Sequence, residues 1–371
     1  MKRIVVIGAL PESLINFRGE LLKQLAKEGH EVTAMASEAT PEVIGQLASM
    51  GVGYRSYPVQ RNGMNPVKDV QTYLALRHAL RELKPDIVFS YTIKPVIWSG
   101  IALKGVSTSR FYALITGLGF AFLNGGIVRK LLTAMVVRLY RVALSGASRV
   151  IFQNPDDRDL FIDRRIVDEV KCALVNGSGV DLDRFSFVPL PRDGTVFIAI
   201  GRLLGGKGFR EYAQAAQWVK DHYPAAVFRL VGPMDPSPDG IPMEEVKGWE
   251  ARGWIEYMGA TEDSRPFLAS CHVFVLPSYQ EGMPRTVLEA MATGRPILTT
   301  DVPGCRETVI PGENGYLIPK ANPTALGERM VWFIEHRDEW ARMGTRSRSL
   351  AEERFDVHSV NRALMTLLEL T

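Results

Sequence analysis

Short apolar runs alternate along this chain with stretches whose apolar residues recur every three or four positions. "RIVVIGA", "HEVTAMAS", "DIVFSY", "RFYALIT" and "RVIFQN" read as strands in the first half, and "TVFIAIG", "AVFRLVG", "HVFVLPS" and "RPILTTD" in the second. Between them lie helical patterns such as "FREYAQAAQWV", where Phe209, Tyr212, Ala213, Ala216 and Val219 share one face. Nearly continuous apolar strands with helical crossovers predict parallel sheets covered on both faces. The pattern restarts near residue 195, after "NGSGVDLDRFSFVPLPRDG", a segment rich in Gly, Pro and Asp. The expectation is an α/β protein with two doubly wound, Rossmann-like domains. These are residues 1–180 and 195–354, joined by a linker at 181–194, with a last helix over about 355–371 packing back on the first domain. In such sheets ligands bind beyond the carboxyl ends of the strands, so a cleft between facing domains is the expected site.

Composition narrows the picture. The chain has 371 residues, 46% of them apolar and 23% charged, as in a soluble globular protein of two or three domains. A net charge of +3, from 44 basic and 41 acidic residues, is too small to argue for nucleic acid. Cys172, Cys271 and Cys305 form neither a disulfide framework nor a zinc spacing, which points to packed thiols and a reducing cytoplasm. "MKRIVVIGALPES" reads as a first buried strand rather than a signal peptide, because its apolar run stops at Pro11. "FYALITGLGFAFLNGGIV" is interrupted by Gly117, Gly119, Gly125 and Gly126 and carries Asn124, so it is not read as a membrane span.

Three stretches carry candidate chemistry. The first strand–helix turn, "GALPESLINFRG", lacks the Gly-x-Gly-x-x-Gly of a dinucleotide site, which counts against a nicotinamide enzyme. Asn16 and Arg18 are either a solvated first helical turn or, for Arg18, a cation near a helix start that meets an anionic substrate. In "AIGRLLGGKGFREYAQAA", Arg202 follows the strand, then come a glycine-rich turn, Lys207 and a helix. This is no Walker motif, yet two cations and a helix N-terminus converge where a diphosphate could sit. In "PSYQEGMPRTVLEAMATGRP", Glu281 lies in a loop and Glu289 about one turn into a helix whose N1 position suits Pro284. Backbone N–H groups around Gly282, Met283 and Arg285 would face the strand end. A carboxylate among Val287, Leu288, Ala290 and Met291 needs a partner. An elongated ligand with hydroxyls at both ends and phosphates between them, a nucleotide-sugar, suits the layout. The bland alternative is a capping glutamate and a packed one.

"EGMPRTVLE" resembles the Glu-x7-Glu motif of retaining glycosyltransferases of the GT-B fold in family four. "GRLLGGKG" resembles that family's Arg and Lys phosphate clamp, "VNGSGVDLDRF" its linker, and "DVPGCRETVIPGENGYLI" its last turn and strand. The likeness covers essentially the whole chain. "NFRGELLKQLAKEGHEV", "NPVKDV", "KPDIVFSYTIKP", "ITGLGFAF" and "VPGCRE" resemble a bacterial subgroup that extends sugars on undecaprenyl diphosphate for O-antigen, capsule or protein glycosylation, commonly with UDP-N-acetylhexosamines.

The resemblance implies that Arg202 and Lys207 hold the donor diphosphate, Glu289 the ribose, and Glu281 the donor sugar beside the Gly282 and Met283 amides, with Gly232 near the base. It implies no metal and no cofactor beyond the UDP-sugar. The departing UDP oxygen would take the acceptor proton on the same face. Asn16, Arg18, Thr92, Lys94 and Thr116 are the acceptor-side candidates. Many relatives carry a histidine where this chain reads "SYTIKP"; Lys94 either takes an electrostatic role there or is an exposed loop lysine. His272 reads as structural. In "GGIVRKLLTAMVVRLYRVAL", Lys130, Arg138 and Arg141 fall within an arc of about 80°. That is either a basic face lying on an anionic membrane or the solvated side of a core helix. The expected place is the cytoplasmic face of the inner membrane, held peripherally, with a lipid-linked saccharide as acceptor. No motif specifies the donor sugar, the linkage or the oligomeric state. A UDP-sugar 2-epimerase or a non-catalytic assembly partner would share the fold, but six histidines, none in a recognised catalytic position, and an intact clamp disfavour both.

Overall fold

The structure is a computed structural model that describes residues 1–60, 65–105, 108–118, 122 and 126–370. The chain divides into two compact units, residues 1–178 with 360–371, and residues 179–359.

The first unit runs β1 (Arg3–Ile7), α1 (Pro11–Lys27), β2 (Glu31–Ala36), α2 (Pro41–Ser49), β3 (Val52–Ser56), α3 (Pro66–Leu83), β4 (Ile87–Tyr91), α4 (Ile93–Ala102), β5 (Arg110–Ile115), α5 (Ile127–Leu144), β6 (Arg149–Phe152), α6 (Pro155–Asp163) and β7 (Cys172–Leu174). Its strands are parallel, in the order β3-β2-β1-β4-β5-β6-β7, so the sheet reverses direction of growth between β1 and β4. Helix starts are written in the sequence. Thr40-Pro41, Asn65-Pro66 and Asn154-Pro155 each place an oxygen-bearing cap before a proline at the first helical position, and each cap accepts a backbone N–H of the first turn.

Alternation along β1 shows why the strands read as unbroken apolar runs. Val5 and Ile7 enter one core and Ile4 and Val6 another, so both faces of the sheet are covered. Val360, Leu364 and Met365 of the last helix and Leu368 just after it belong to the second of these cores, which places residues 360–371 with the first unit.

The second unit runs β8 (Val196–Ile200), α7 (Phe209–His222), β9 (Val227–Val231), α8 (Met243–Ala251), β10 (Glu256–Tyr257), α9 (Arg265–Ala269), β11 (Val273–Leu276), α10 (Arg285–Ala292), β12 (Ile297–Thr300), β13 (Gly315–Ile318), α11 (Pro323–Glu335) and α12 (Glu339–Arg354), before α13 (Val357–Leu367). Its parallel order is β10-β9-β8-β11-β12-β13, with the reversal between β8 and β11. The expected helical face of Phe209, Tyr212, Ala213, Ala216 and Val219 is buried. The strands that periodicity misses, β3, β7, β10 and β13, are outermost in their sheets; β3 and β10 carry polar residues and β7 is only three residues long, because an edge position leaves side chains partly exposed and needs little apolar run.

Residues 181–194, expected as a linker, lie within the second unit. Arg295, fully buried, donates to Val188 O at 2.6 Å, and Arg348 donates to Phe185 O at 2.9 Å. Enclosed guanidiniums need acceptors, and the carbonyls of this strap supply several of them. The changeover falls instead at Ser178–Gly179 and Ser359–Val360.

His272 joins the same strap, as structural a residue as expected. Its Nδ1 accepts from the Val196 N–H at 3.0 Å and its Nε2 faces Pro191 O at 3.2 Å, beside the Trp340 ring. Burial, helped by the nearby Arg295 and Arg337 charges, holds its pKa below the ordinary value. A lowered histidine pKa means stability that is complete above about pH 6.5 and declines as pH falls below it. The melting temperature of the wild type is therefore expected to drop between pH 6.5 and 5, and that pH dependence is expected to flatten in His272→Asn, checked by thermal denaturation across this range.

Candidate active site

At the carboxyl end of β8 the chain passes Gly201 and Arg202 and forms a 3-10 turn over Gly205–Lys207 before α7. Gly208 must be glycine: its φ is +73°, and a Cβ would stand 2.0 Å from Pro277 O. That approach holds the turn against the loop leaving β11, where the Tyr279 N–H donates to Gly206 O at 2.9 Å. Lys207 Nζ is thereby brought to 2.5 Å from Glu281 Oε1, an ion pair that spans the reversal between β8 and β11. Ser278 Oγ donates to the same Glu281 oxygen at 2.7 Å. Both partners are largely enclosed, with side chains 22% and 14% exposed. Arg202 pairs with Asp235 and keeps 38% of its side chain exposed.

Pro284 caps α10 and Arg285 is its first residue, one position later than expected. The shift follows from the ψ of 105° at Pro284, which is extended rather than helical. Met283 and Arg285 are half-buried and Gly282 is buried. Glu289 is 7% exposed, paired with Arg285 Nε at 2.9 Å and accepting from Ser264 Oγ at 2.7 Å. The partner its apolar surroundings demand is thus supplied from its own helix and from the N-cap of α9. Burial still pushes its carboxyl above the usual carboxylate range, against the pull of Arg285 and Ser264. Below the site, burial and the Glu281 charge raise the Cys305 thiol to about 12, so this cysteine is a packing group.

Gly232 follows β9 with φ +149°, and a Cβ there would stand 1.8 Å from Gly201 O. Its N–H goes to Gly259 O and its carbonyl accepts from the Tyr257 hydroxyl, so in this structure it lets two strand ends meet.

Several first-unit candidates lie elsewhere than expected. Asn16 and Arg18 are not in a first helical turn, because α1 begins at Pro11. Asn16 is exposed, whereas Arg18 is 2% exposed and lies over the Tyr91 ring, since facing the core beats facing solvent at that helical position. Lys94 is neither a loop residue nor exposed. It stands in the first turn of α4, 2.7 Å from Asp69 of α3, with its side chain 16% exposed. Thr92, at the carboxyl end of β4, has φ 69° and ψ 165°, a region that β-branched residues rarely enter. Its Oγ1 is enclosed and has no hydrogen-bond partner among the described residues. Thr116 follows β5 and is half-buried. Residues 61–64 and 119–121 lie outside the described residues. On α5, Lys130 and Arg138 are exposed, but the Arg141 guanidinium is tied to the carbonyls of Arg164 and Arg165 at 2.6 and 3.0 Å. The carbonyls after α6 claim it, as helix ends commonly claim an arginine.

Two family models match the chain: glycosyl transferases group 1 over residues 194–336, and a glycosyl transferase 4-like domain over residues 16–177. The chain is a glycosyltransferase, with a 4-like domain in its first half and a group 1 domain in its second. It is 27% identical, over 90% of its length and 89% of the relative's, to a Campylobacter jejuni N,N'-diacetylbacillosaminyl-diphospho-undecaprenol alpha-1,3-N-acetylgalactosaminyltransferase. It is 29% identical, over 70% of its length and 69% of the relative's, to an Escherichia coli UDP-Gal:alpha-D-GlcNAc-diphosphoundecaprenol alpha-1,3-galactosyltransferase. Among solved structures, Thermosynechococcus elongatus sucrose-phosphate synthase superposes with a TM-score of 0.82 at 18% identity, covering 100% of this chain and 98% of that one. Anabaena HepE in complex with UDP-glucose superposes with a TM-score of 0.79 at 17% identity, covering 100% of each. The fold is that of the GT-B glycosyltransferases.

Sequence reasoning missed the transferase's Asp235, Asp239, Ser264 and Ser278. The signal for the first two was present: "GPMDPSPDG" follows β9, whose neighbour is β8, so its acids emerge at the same sheet edge as Arg202.

Glu289 sets stability against chemistry. A raised carboxyl pKa means a stabilising contribution that is lost as pH rises through it. Glu289→Gln is expected to melt above the wild-type transferase at pH 8, with the gap narrowing as pH falls. Thermal denaturation at pH 8 and at lower pH checks it.

Proposed function

We propose that this glycosyltransferase moves a sugar, an N-acetylhexosamine as first choice, from a UDP-sugar to a saccharide linked to undecaprenyl diphosphate, with retention of configuration and without a metal. The observation that carries the donor side is the convergence of Arg202, Lys207 and Glu281 at the reversal point of the second sheet, where open α/β sheets bind ligands. A diphosphate leaving group gains negative charge as the glycosidic bond breaks. Two fixed cations stabilise that charge more than they stabilise bound donor, which is what lowers a barrier. Glu281 has one oxygen committed to Lys207 and Ser278, leaving the other for a sugar hydroxyl. Glu289, backed by Arg285 and Ser264, would hold the ribose. HepE, of like fold, was solved with UDP-glucose, and both named relatives carry diphospho-undecaprenol substrates in their names, which supports this donor and acceptor class.

The acceptor class also fits α5. Its 18 residues contain no acid, and Leu131, Met135 and Val142 are 67%, 51% and 41% exposed beside Lys130 and Arg138. On α3, at the other flank of α4, Val67, Val70 and Leu74 are exposed as well. Apolar side chains among lysines and arginines suit an anionic bilayer surface, and peripheral attachment to the cytoplasmic face of the inner membrane follows from this reading. No helix among the described residues is long and apolar enough to cross a membrane.

Arg202→Ala, Lys207→Ala and Glu281→Ala are each expected to lower kcat/KM by about 10²–10³-fold with circular dichroism unchanged. UDP release from a panel of UDP-sugars with a short-chain polyprenyl-diphosphate saccharide measures this, and near-normal turnover in all three would sink the reading. Lys130→Glu with Arg138→Glu is expected to weaken sedimentation with vesicles containing phosphatidylglycerol while leaving turnover on a detergent-free, short-chain acceptor intact.

A further inference from the structure

The clamp has a backing that the donor reading leaves without a role. Residues 233–240, between β9 and α8, pair along the segment that carries Arg202 and the glycine turn. Leu203 N–H donates to Pro233 O and Ile241 N–H to Leu203 O, each at 2.9 Å. Gly205 N–H donates to Asp239 O at 2.8 Å, and Gly206 N–H to the Asp239 carboxylate at 2.9 Å. The same loop sends Asp235 to Arg202. The Asp235 side chain is 5% exposed, whereas that of Arg202 is 38% exposed. One Asp235 oxygen accepts from the Ser237 N–H at 3.0 Å, and the other accepts from Arg202 Nη1.

This division of labour has a direction. Asp235 is fixed from behind by its own loop, so its carboxylate stays in place whatever Arg202 does. Arginine is a long side chain whose free rotation must be given up to bind a phosphate. A guanidinium presents five N–H donors in a planar fork, and one anchored at a single nitrogen keeps the remainder for an anion. We propose that Asp235 is a positioning residue for the diphosphate site, holding the Arg202 fork at the end of β8 so that its outward edge is ready for the donor. The inference rests on the donor-site reading above and goes beyond it, since Asp235 itself would touch neither sugar nor phosphate. Burial pushes its carboxyl up, but the Ser237 hydroxyl and N–H, with Arg202, outweigh burial and hold it below the usual range.

Isothermal titration with UDP and steady-state kinetics with UDP-sugar test this on the full chain. Asp235→Asn keeps the shape and removes the charge. It is expected to weaken UDP binding about tenfold and to raise KM for the donor, with the melting temperature little changed. In an Arg202→Ala background the same substitution is expected to add nothing, because the residue acts through that side chain alone. Ser237→Ala, which loosens Asp235 without altering charge, is expected to fall between wild type and Asp235→Asn, and it keeps the test alive should Asp235→Asn misfold. Unchanged or tighter UDP binding in Asp235→Asn would overturn the proposal, the latter by showing that the carboxylate competes with the diphosphate. So would full additivity with Arg202→Ala, which marks a structural role. If the wild type binds no UDP, the donor-site reading falls and this one with it. If the wild type binds and Asp235→Asn is unaffected, this one alone falls.

Discussion

The ion pair between Lys207 and Glu281 is the contact on which the rest of the second unit's chemistry depends. The two residues are far apart in sequence and come from loops on either side of the sheet's reversal, so the pair exists only if β8 and β11 are neighbours with their carboxyl ends level. Each side chain is enclosed enough that losing its partner would leave a poorly solvated charge. The Gly208–Pro277 approach and the Tyr279-to-Gly206 hydrogen bond are the backbone means by which the loops are held together. Chemistry at this edge is therefore tied to the sheet order itself rather than to mobile loops.

Seen from the ligand's side, every cation of the site already has an anion. Arg202 has Asp235, Lys207 has Glu281, and Arg285 has Glu289. Pairing of this sort fixes long side chains before a ligand arrives, which cuts the entropy that binding must overcome. It also sets a limit, because each carboxylate opposes an incoming diphosphate. The arrangement is workable because the acids stand behind or beside the cations. Asp235 is nearly enclosed while Arg202 is not, and Glu289 lies deep in α10 with apolar neighbours on its own helix. The cost of that last placement is visible in its raised pKa.

The first unit shows a different economy. Its reversal lies between β1 and β4, and the carboxyl end of β4 holds Thr92 in a backbone conformation that β-branched residues avoid. Strain of that kind persists only where surrounding structure over-determines it. Lys94 and Arg18, cations that one would place at such an edge for an anionic ligand, are instead committed to Asp69 and to the Tyr91 ring. Lys130 and Arg138 of this unit stand exposed on α5, among exposed leucine, methionine and valine.

How much of this was legible in the sequence depends on the range of the interaction. Doubly wound sheets, the helix starts at Thr40, Asn65 and Asn154, and the central strands follow from local periodicity and capping chemistry, which act over a few residues. The site's cations and glutamates were legible as types in the right order, because a strand, a glycine turn and a helix start must be contiguous. The edge strands β3, β7 and β10 were not, since short or partly polar segments gain their place from a neighbour's hydrogen bonds. Nor were the partners. That Arg202 meets Asp235, that Arg18 turns inward, that Lys94 finds Asp69, and that residues 181–194 are strapped to the second unit by Arg295 and Arg348 are all decided by which surfaces the fold brings together. A side chain's charge is written in the chain; whether that charge is spent inside the protein or offered to a ligand is settled by tertiary distance and burial, because electrostatic and desolvation energies depend on separation in space and not on separation in sequence.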